Sequence, residues 1–193
     1  GMAEGLQEQI STPAYKDLDF EERLGILVDK EKLHRENRQL KILLAHAHLR
    51  HPNACCENID FRTRRGLAKD VLLRLAQNEW IHRHQNVIIV GPTGAGKTFI
   101  ACALGNAAVR QGIRTIYLRL PRLAQELKVA RADGSFAKLL ARLQRIRLLI
   151  IDDWGMNSFT DEERRGFLEI MEDRYGVRST IIASQIPIDM WHD

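Results

Sequence analysis

The segment that most restricts how this chain can fold is IIVGPTGAGKTFIA, residues 88 to 101. It fits the pattern G-x-x-x-x-G-K-[ST] at Gly91, Gly96, Lys97 and Thr98, with a short β-branched apolar run before it and helix-forming residues after it. Such a loop turns successive backbone N–H groups inward around a phosphate. That requires glycine torsions and little side-chain bulk, and the following helix adds the positive end of its dipole. Gly91, Pro92, Thr93, Gly94, Ala95, Gly96, Lys97, Thr98 and Phe99 are therefore the expected nucleotide-binding residues. Lys97 is placed to meet the β and γ phosphates, and the Thr98 hydroxyl to ligate Mg²⁺.

A strand that ends in this loop and leads into a helix is one repeat of a parallel sheet, so further repeats are expected. DVLLRLAQNEWIHR (70 to 83) reads as a helix, NVIIV as the strand, and Lys97 to Gln111 as a helix closed by Gly112. RTIYLRL follows as a strand, and Pro121 to Ala130 and Phe136 to Arg145 as helices. RLLIIDD is a strand, TDEERRGFLEIMEDRYG a helix with Thr160 as its N-cap, and STIIAS the last strand. Strands that are apolar throughout, rather than alternating, belong to a sheet covered on both faces. The fold class expected is α/β, a P-loop NTPase with a parallel sheet and helices on both of its faces, preceded by an N-terminal helical region.

A second acidic motif bears on what a bound nucleotide is for. LLIIDDWG (148 to 155) ends an apolar strand in two carboxylates. Asp152 is placed to reach Mg²⁺ beside the γ phosphate, and Asp153 to hold and polarise the attacking water. The plain alternative for each is a turn or N-cap aspartate. IIASQIP (181 to 187) puts Ser184 and Gln185 at the tip of the last strand, where polar side chains of an open α/β sheet face the ligand crevice. There Gln185 is positioned to orient the water or sense the γ phosphate, against the alternative of a satisfied turn.

The net charge is only +4, but from Arg110 to Arg147 ten basic residues stand against two acids, Glu126 and Asp133. If they share one surface they imply a polyanionic partner; if not, they are solvated helix faces. With 193 residues, 45% of them hydrophobic, the chain has material for one ordinary domain and an appendage. No run of about 18 apolar residues and no signal-like N-terminus occurs, so no membrane association and a cytoplasmic location are expected. The three cysteines, with Cys55 and Cys56 adjacent, lack disulfide or zinc spacing and read as free thiols. His46, His48 and His51, and likewise His82 and His84, do not share a helical face at metal-ligand spacing. Trp154 is expected to pack near the acidic motif.

The N-terminal part reads differently. In residues 18 to 49 Asp19 is a plausible N-cap with Glu22 as its capping-box partner, and no Gly or Pro falls between Leu27 and Pro52. One long helix or two joined ones is expected. Phe20, Leu24, Leu27 and Val28 at one end, and Leu40, Leu43, Leu44 and Ala47 at the other, keep helical spacing, while the polar middle faces solvent or a partner. HPNACCENIDFRTRRG (51 to 66) reads as a linker, giving an N-terminal helical region at 1–57 and a nucleotide-binding core at 58–193.

With these residues in place the chain resembles the IstB-like transposition helpers, AAA+ ATPases related to the helicase loader DnaC. The resemblance covers essentially the whole chain. It is carried by GMAEGLQEQI, LDFEERLGILVDKE and ENRQLKILLAHAHLRHP, by NIDF, GPTGAGKT and LLIIDDWG, and by EDRYGVRSTIIASQIPIDMWHD. It implies ATP and Mg²⁺ as ligands, Lys97 and Thr98 on phosphate and metal, Asp152 on the metal, and Asp153 in the catalytic acidic position. It further implies Ser184 with Gln185 as the first sensor, and Asn58 to Phe61 near the adenine. The implied activity is ATP-driven homo-oligomer assembly on duplex DNA that assists a partner transposase; a DnaC-like role with a replicative helicase is the alternative. Arg119 and Arg122, just past the second strand, are the DNA-contact candidates by charge and position.

Two departures qualify what is carried over. Many AAA+ proteins have Glu at the position of Asp153, and the shorter side chain implies slow hydrolysis. AAA+ proteins also continue into a fifth strand and a helical lid with an arginine finger and a second sensor arginine; these are expected to lie outside a sequence that stops at Asp193. Arg174 and Arg178 precede the last strand, where ion pairs with neighbouring acids are expected rather than action across an interface. Two other classes stay open. One is a small-molecule P-loop kinase, against which the paired aspartates and the Ser-Gln tip favour water as acceptor. The other is a binding module with ATP as a structural ligand.

Overall fold

The computed structural model describes residues 1–61, 66–155 and 160–191. Residues 62–65 of the expected linker therefore lie outside the described residues. Four parallel strands, β1 (Val87–Val90), β2 (Thr115–Arg119), β3 (Leu148–Trp154) and β4 (Ser179–Ser184), form one sheet in the order β1-β4-β3-β2. This is the expected parallel α/β sheet, and its central strands are buried on both faces: Leu148 to Ile151 and Ile181 to Ala183 are all 6% exposed or less.

Helices cover both faces. On one side α5 (Lys97–Arg110) runs under all four strands, beside α3 (Lys69–Ala76). Gly105 permits the close approach of α5, since a Cβ there would lie 2.7 Å from Ile150 Cδ1 and 3.0 Å from Leu49 Cδ2. On the other side α6 (Leu120–Ala132), α7 (Phe136–Gln144) and α8 (Asp161–Arg174) pack on one another and on Leu118, Leu149 and Ile151. Each fully buried aliphatic side chain in this layer contributes about 1.5 to 3 kcal/mol. Thr160 caps α8 as expected, accepting from Glu163 N at 3.3 Å while the Glu163 side chain accepts from Thr160 N at 2.9 Å.

Three local expectations need correction. The helix expected over 70 to 83 is two, α3 and the short α4 (Glu79–His82), because Asn78 between them adopts φ 64° and breaks the helix. Arg174 pairs with no acid among the described residues. It is 2% exposed and donates to Thr180 Oγ1 (3.1 Å), Leu143 O (2.6 Å), Ile146 O (2.9 Å) and Ser179 O. Burial lowers its pKa to about 10. The acids expected as partners are replaced by carbonyls left over at the end of α7 and in the turn that follows it. Arg178 likewise donates to the carbonyls of Gln144 and Val177.

The chain forms two compact units, Gly1–Ile42 and Leu43–Asp193. In the first, α1 (Met2–Ser11), which the sequence did not announce, packs on the first turns of α2 (Phe20–Ala47). Met2 N donates to Glu31 Oε2 at 2.8 Å, Gln9 Nε2 donates to Arg23 O at 2.8 Å, and Lys30 pairs with Glu8. Asp19 and Glu22 form the expected capping box, and residues 32 to 39 are all exposed. By contacts the chain divides at 42/43, and residues 43 to 57 belong with the second unit, where they lie against α5. Ala47, Leu49, Ala54 and Cys56 are buried, and Asn106 of α5 donates to Pro52 O (3.0 Å) and Ala54 O (2.9 Å). Cys55, Cys56 and Cys102 are free thiols. No described helix is long and apolar enough to cross a membrane.

Candidate nucleotide site

The phosphate loop joins β1 to α5. Gly94 and Gly96 take φ 80° and 90°, a left-handed conformation that side-chain-bearing residues rarely adopt, and this curls the loop over the first turn of α5. Lys97 opens the helix, is 9% exposed, and directs its ammonium back across the loop to Gly91 O (2.7 Å) and Pro92 O (2.9 Å). The first N–H groups of α5 have no intrahelical acceptor, so the loop and helix end together offer a cluster of donors to an anion.

Thr98 and Asp152, 54 residues apart, meet directly. Thr98 Oγ1 donates to Asp152 Oδ2 at 2.7 Å. Asp152 is 2% exposed, and its other oxygen accepts from Asp153 N at 2.9 Å. A third donor reaches it from β2: Tyr117 OH, also on Oδ2, at 2.7 Å. Burial and then the Asp152 hydrogen bond push the Tyr117 phenol well above its ordinary pKa, so it remains a donor. A hydroxyl beside a buried carboxylate is a hard-oxygen donor set that suits Mg²⁺.

Asp153 leaves the regular strand path. Its φ is 62°, and the β3–β4 register slips between Ile151 and Trp154. The turn swings its carboxylate over the neighbouring strand, where Oδ2 accepts from Arg119 Nε at 2.7 Å. On the other side of β3, Thr93 Oγ1 at the loop tip donates to Gln185 Oε1 at 2.6 Å, so β4 closes against the phosphate loop. Ser184 is fully buried. Its hydroxyl lies 3.1 Å from Trp154 O and 2.9 Å from Ile186 O and accepts from Ile186 N at 3.0 Å, which ties the ends of β3 and β4 together. Trp154 packs between Phe167 and Trp191, with ring centroids 5.7 and 5.4 Å away.

A cleft of about 490 Å³ runs beside the loop and is lined by Asn58, Ile59, Asp60 and Phe61 together with Gly91, Pro92, Ala95, Gly96, Lys97 and Phe99. Six of the nine expected nucleotide-binding residues thus line one cleft, and Thr93, Gly94 and Thr98 are not among its walls. Five of the ten basic residues share one cleft, and Arg119 is not among its walls. Arg119 is held at the acidic motif. Arg122, with Arg114, Lys138, Arg142 and Arg145, lines a separate cleft of about 1280 Å³ between α6 and α7, where Glu126 takes Arg122 (3.5 Å) and Arg142 (2.8 Å). Sequence reasoning missed Tyr117, although a lone phenol inside an aliphatic strand is a signal for a buried hydrogen bond.

The whole chain, residues 1–193, matches the model of the family described as IstB-like ATP binding protein. A protein of Pseudomonas fluorescens named for insertion sequence IS1162 and ATP binding is 44% identical over 187 residues, covering 97% of this chain and 81% of its own length. Among solved structures, the DnaC helicase loader superposes with a TM-score of 0.63 at 24% identity, over 72% of this chain and 81% of that one. AMPPCP-bound DnaA from Aquifex aeolicus gives 0.63 at 26% identity, over 72% of this chain and 44% of that one. The sheet, the phosphate loop and these matches agree: the chain belongs to the IstB-like ATP binding protein family.

Proposed function

We propose that the chain is a Mg²⁺-dependent ATPase that assembles as a homo-oligomer on duplex DNA in the cytoplasm and assists a transposase in DNA transposition. The observation that carries the nucleotide part is the 2.7 Å hydrogen bond from Thr98 to Asp152, which brings the phosphate loop and the acidic strand end to one point. Family membership and the relative's association with an insertion sequence support the transposition part.

In this reading the loop N–H groups and the Lys97 ammonium hold the β and γ phosphates, and the adenine occupies the cleft walled by Asn58 to Phe61. Thr98 and Asp152 would hold Mg²⁺, which when bound offsets the negative charge on the phosphates. Asp153 orients the attacking water and takes its proton, and Gln185 reports the state of the γ phosphate to the loop tip through Thr93. Ser184 acts by holding the ends of β3 and β4 in register. Arg119 and Arg122 are the DNA-contact residues, and the N-terminal region through residue 57 contributes contacts with DNA, neighbouring copies or the transposase.

Nucleotide binding and phosphate release compared in the wild type, Lys97→Ala and Asp153→Asn test this. Lys97→Ala is expected to weaken ATP binding about a hundredfold, the loss of two charge-assisted hydrogen bonds of about 1.5 kcal/mol each. Asp153→Asn is expected to bind ATP normally and to release phosphate about a hundredfold or more slowly. Equal turnover in all three proteins would overturn the assignment.

A further inference from the structure

Asp152 is held by three donors on two oxygens: Thr98 Oγ1 and Tyr117 OH on Oδ2, and Asp153 N on Oδ1. Two of these are fixed by the fold. The Asp153 N–H belongs to the strand itself, and the Tyr117 ring is 6% exposed within β2, opposite Ile150 in the sheet register. The Thr98 hydroxyl differs, because the Mg²⁺-ATP reading gives its oxygen a second task. When its lone pairs serve a cation, the Asp152 carboxylate is still oriented by the two donors the fold fixes, of which Tyr117 shares Oδ2 with Thr98.

Tyr117 has the geometry for this. A phenol has one proton, and here it is directed at Oδ2 at 2.7 Å, within the range for a hydroxyl on a charged acceptor. A carboxylate can only accept, so the phenol is the donor in this pair. An aromatic side chain with two rotatable bonds, packed inside a strand, loses little freedom in holding this arrangement.

We infer that Tyr117 is a positioning residue for the cation site, fixing the Asp152 carboxylate while the Thr98 hydroxyl serves the metal. The inference rests on the Mg²⁺-ATP reading above. A phenol behind a ligating carboxylate has the place of an outer-shell partner, whose removal typically weakens a metal about ten- to a hundredfold.

The test uses the full chain as wild type, Tyr117→Phe and Asp152→Asn. Mn²⁺ affinity is measured by electron paramagnetic resonance at saturating non-hydrolysable ATP analogue, and analogue affinity is measured separately in EDTA. Tyr117→Phe keeps the ring, so packing is retained, and melting temperature checks this. The expected result is Mn²⁺ binding about tenfold weaker in Tyr117→Phe, with analogue affinity in EDTA within about twofold of wild type. A Tyr117→Phe protein with unchanged Mn²⁺ affinity, beside an Asp152→Asn protein that has lost it, overturns the role of Tyr117 and leaves the nucleotide reading intact. An equal drop in Mn²⁺ affinity and in EDTA analogue affinity also overturns it, by showing a merely structural role. If Asp152→Asn binds Mn²⁺ as well as wild type does, the metal-site reading itself fails and the inference falls with it.

Discussion

The Arg119 guanidinium meets the Asp153 carboxylate at 2.7 Å across the β2–β3 boundary, where Arg119 stands opposite Asp152 in the sheet register. The residue proposed to touch the DNA backbone and the residue proposed to hold the attacking water are therefore partners. Asp153 is 13% exposed and Arg119 55%, so the pair lies half in solvent, where a phosphate can compete for the arginine.

Arg119→Ala is expected to free the Asp153 oxygen and raise basal phosphate release by about two- to fivefold. The size follows from an ion pair of at most about 1 kcal/mol, with about 1.36 kcal/mol per tenfold in rate. Stimulation by duplex DNA should be lost in the same variant. Steady-state phosphate release with and without a DNA duplex measures both, and a variant slower than wild type with DNA stimulation intact contradicts the coupling.

Arg174 predicts a stability effect rather than a catalytic one. Its buried guanidinium bonds Leu143 O, Ile146 O, Ser179 O and Thr180 Oγ1. Arg174→Met leaves these acceptors buried without a donor and is expected to cost about 3 kcal/mol or more, read as a lower urea midpoint at unchanged slope. If Arg174 instead acted across a subunit interface, the isolated protein would keep its stability and lose only turnover.

The buried thiols predict how stability changes in alkali. Burial pushes Cys56 up to about 11 from 9.0, and burial raises Cys102 as well. A group whose pKa is raised on folding holds its proton more tightly in the native state, so its contribution is complete below about pH 9 and is lost as pH climbs toward about 11. Arg174, with its lowered pKa, acts with the opposite sign only above about pH 10. Between about pH 8 and pH 10 the urea midpoint of the wild type should therefore fall, and that of Cys56→Ala should fall less steeply. Parallel curves would show that the Cys56 thiol contributes nothing.

Features encoded by neighbours in sequence were readable in advance. The phosphate loop, the four apolar strands and the caps at Thr160 and Asp19 depend on residues at most a few positions apart. Contacts that depend on strand order were not. Arg119 reaches Asp153, and Tyr117 reaches Asp152, only because β2 pairs with β3 in one particular register, and no local pattern encodes that pairing. Arg174 was expected in an ion pair because acids surround it in sequence, whereas helix rotation turns it into the core against uncapped carbonyls. Asn78 carried a usable signal, since asparagine tolerates the left-handed turn it makes between α3 and α4.

In the proposed function, ATP held at the Thr98–Asp152 site drives assembly on duplex DNA. Sedimentation velocity of the intact protein with a DNA duplex, in ATP, ADP or no nucleotide, tests it most directly. A large protein–DNA complex is expected with ATP, absent for Lys97→Ala and weakened about tenfold or more between about 50 and 200 mM salt. Equal DNA binding in all three nucleotide conditions, or none at low salt with ATP present, would contradict it.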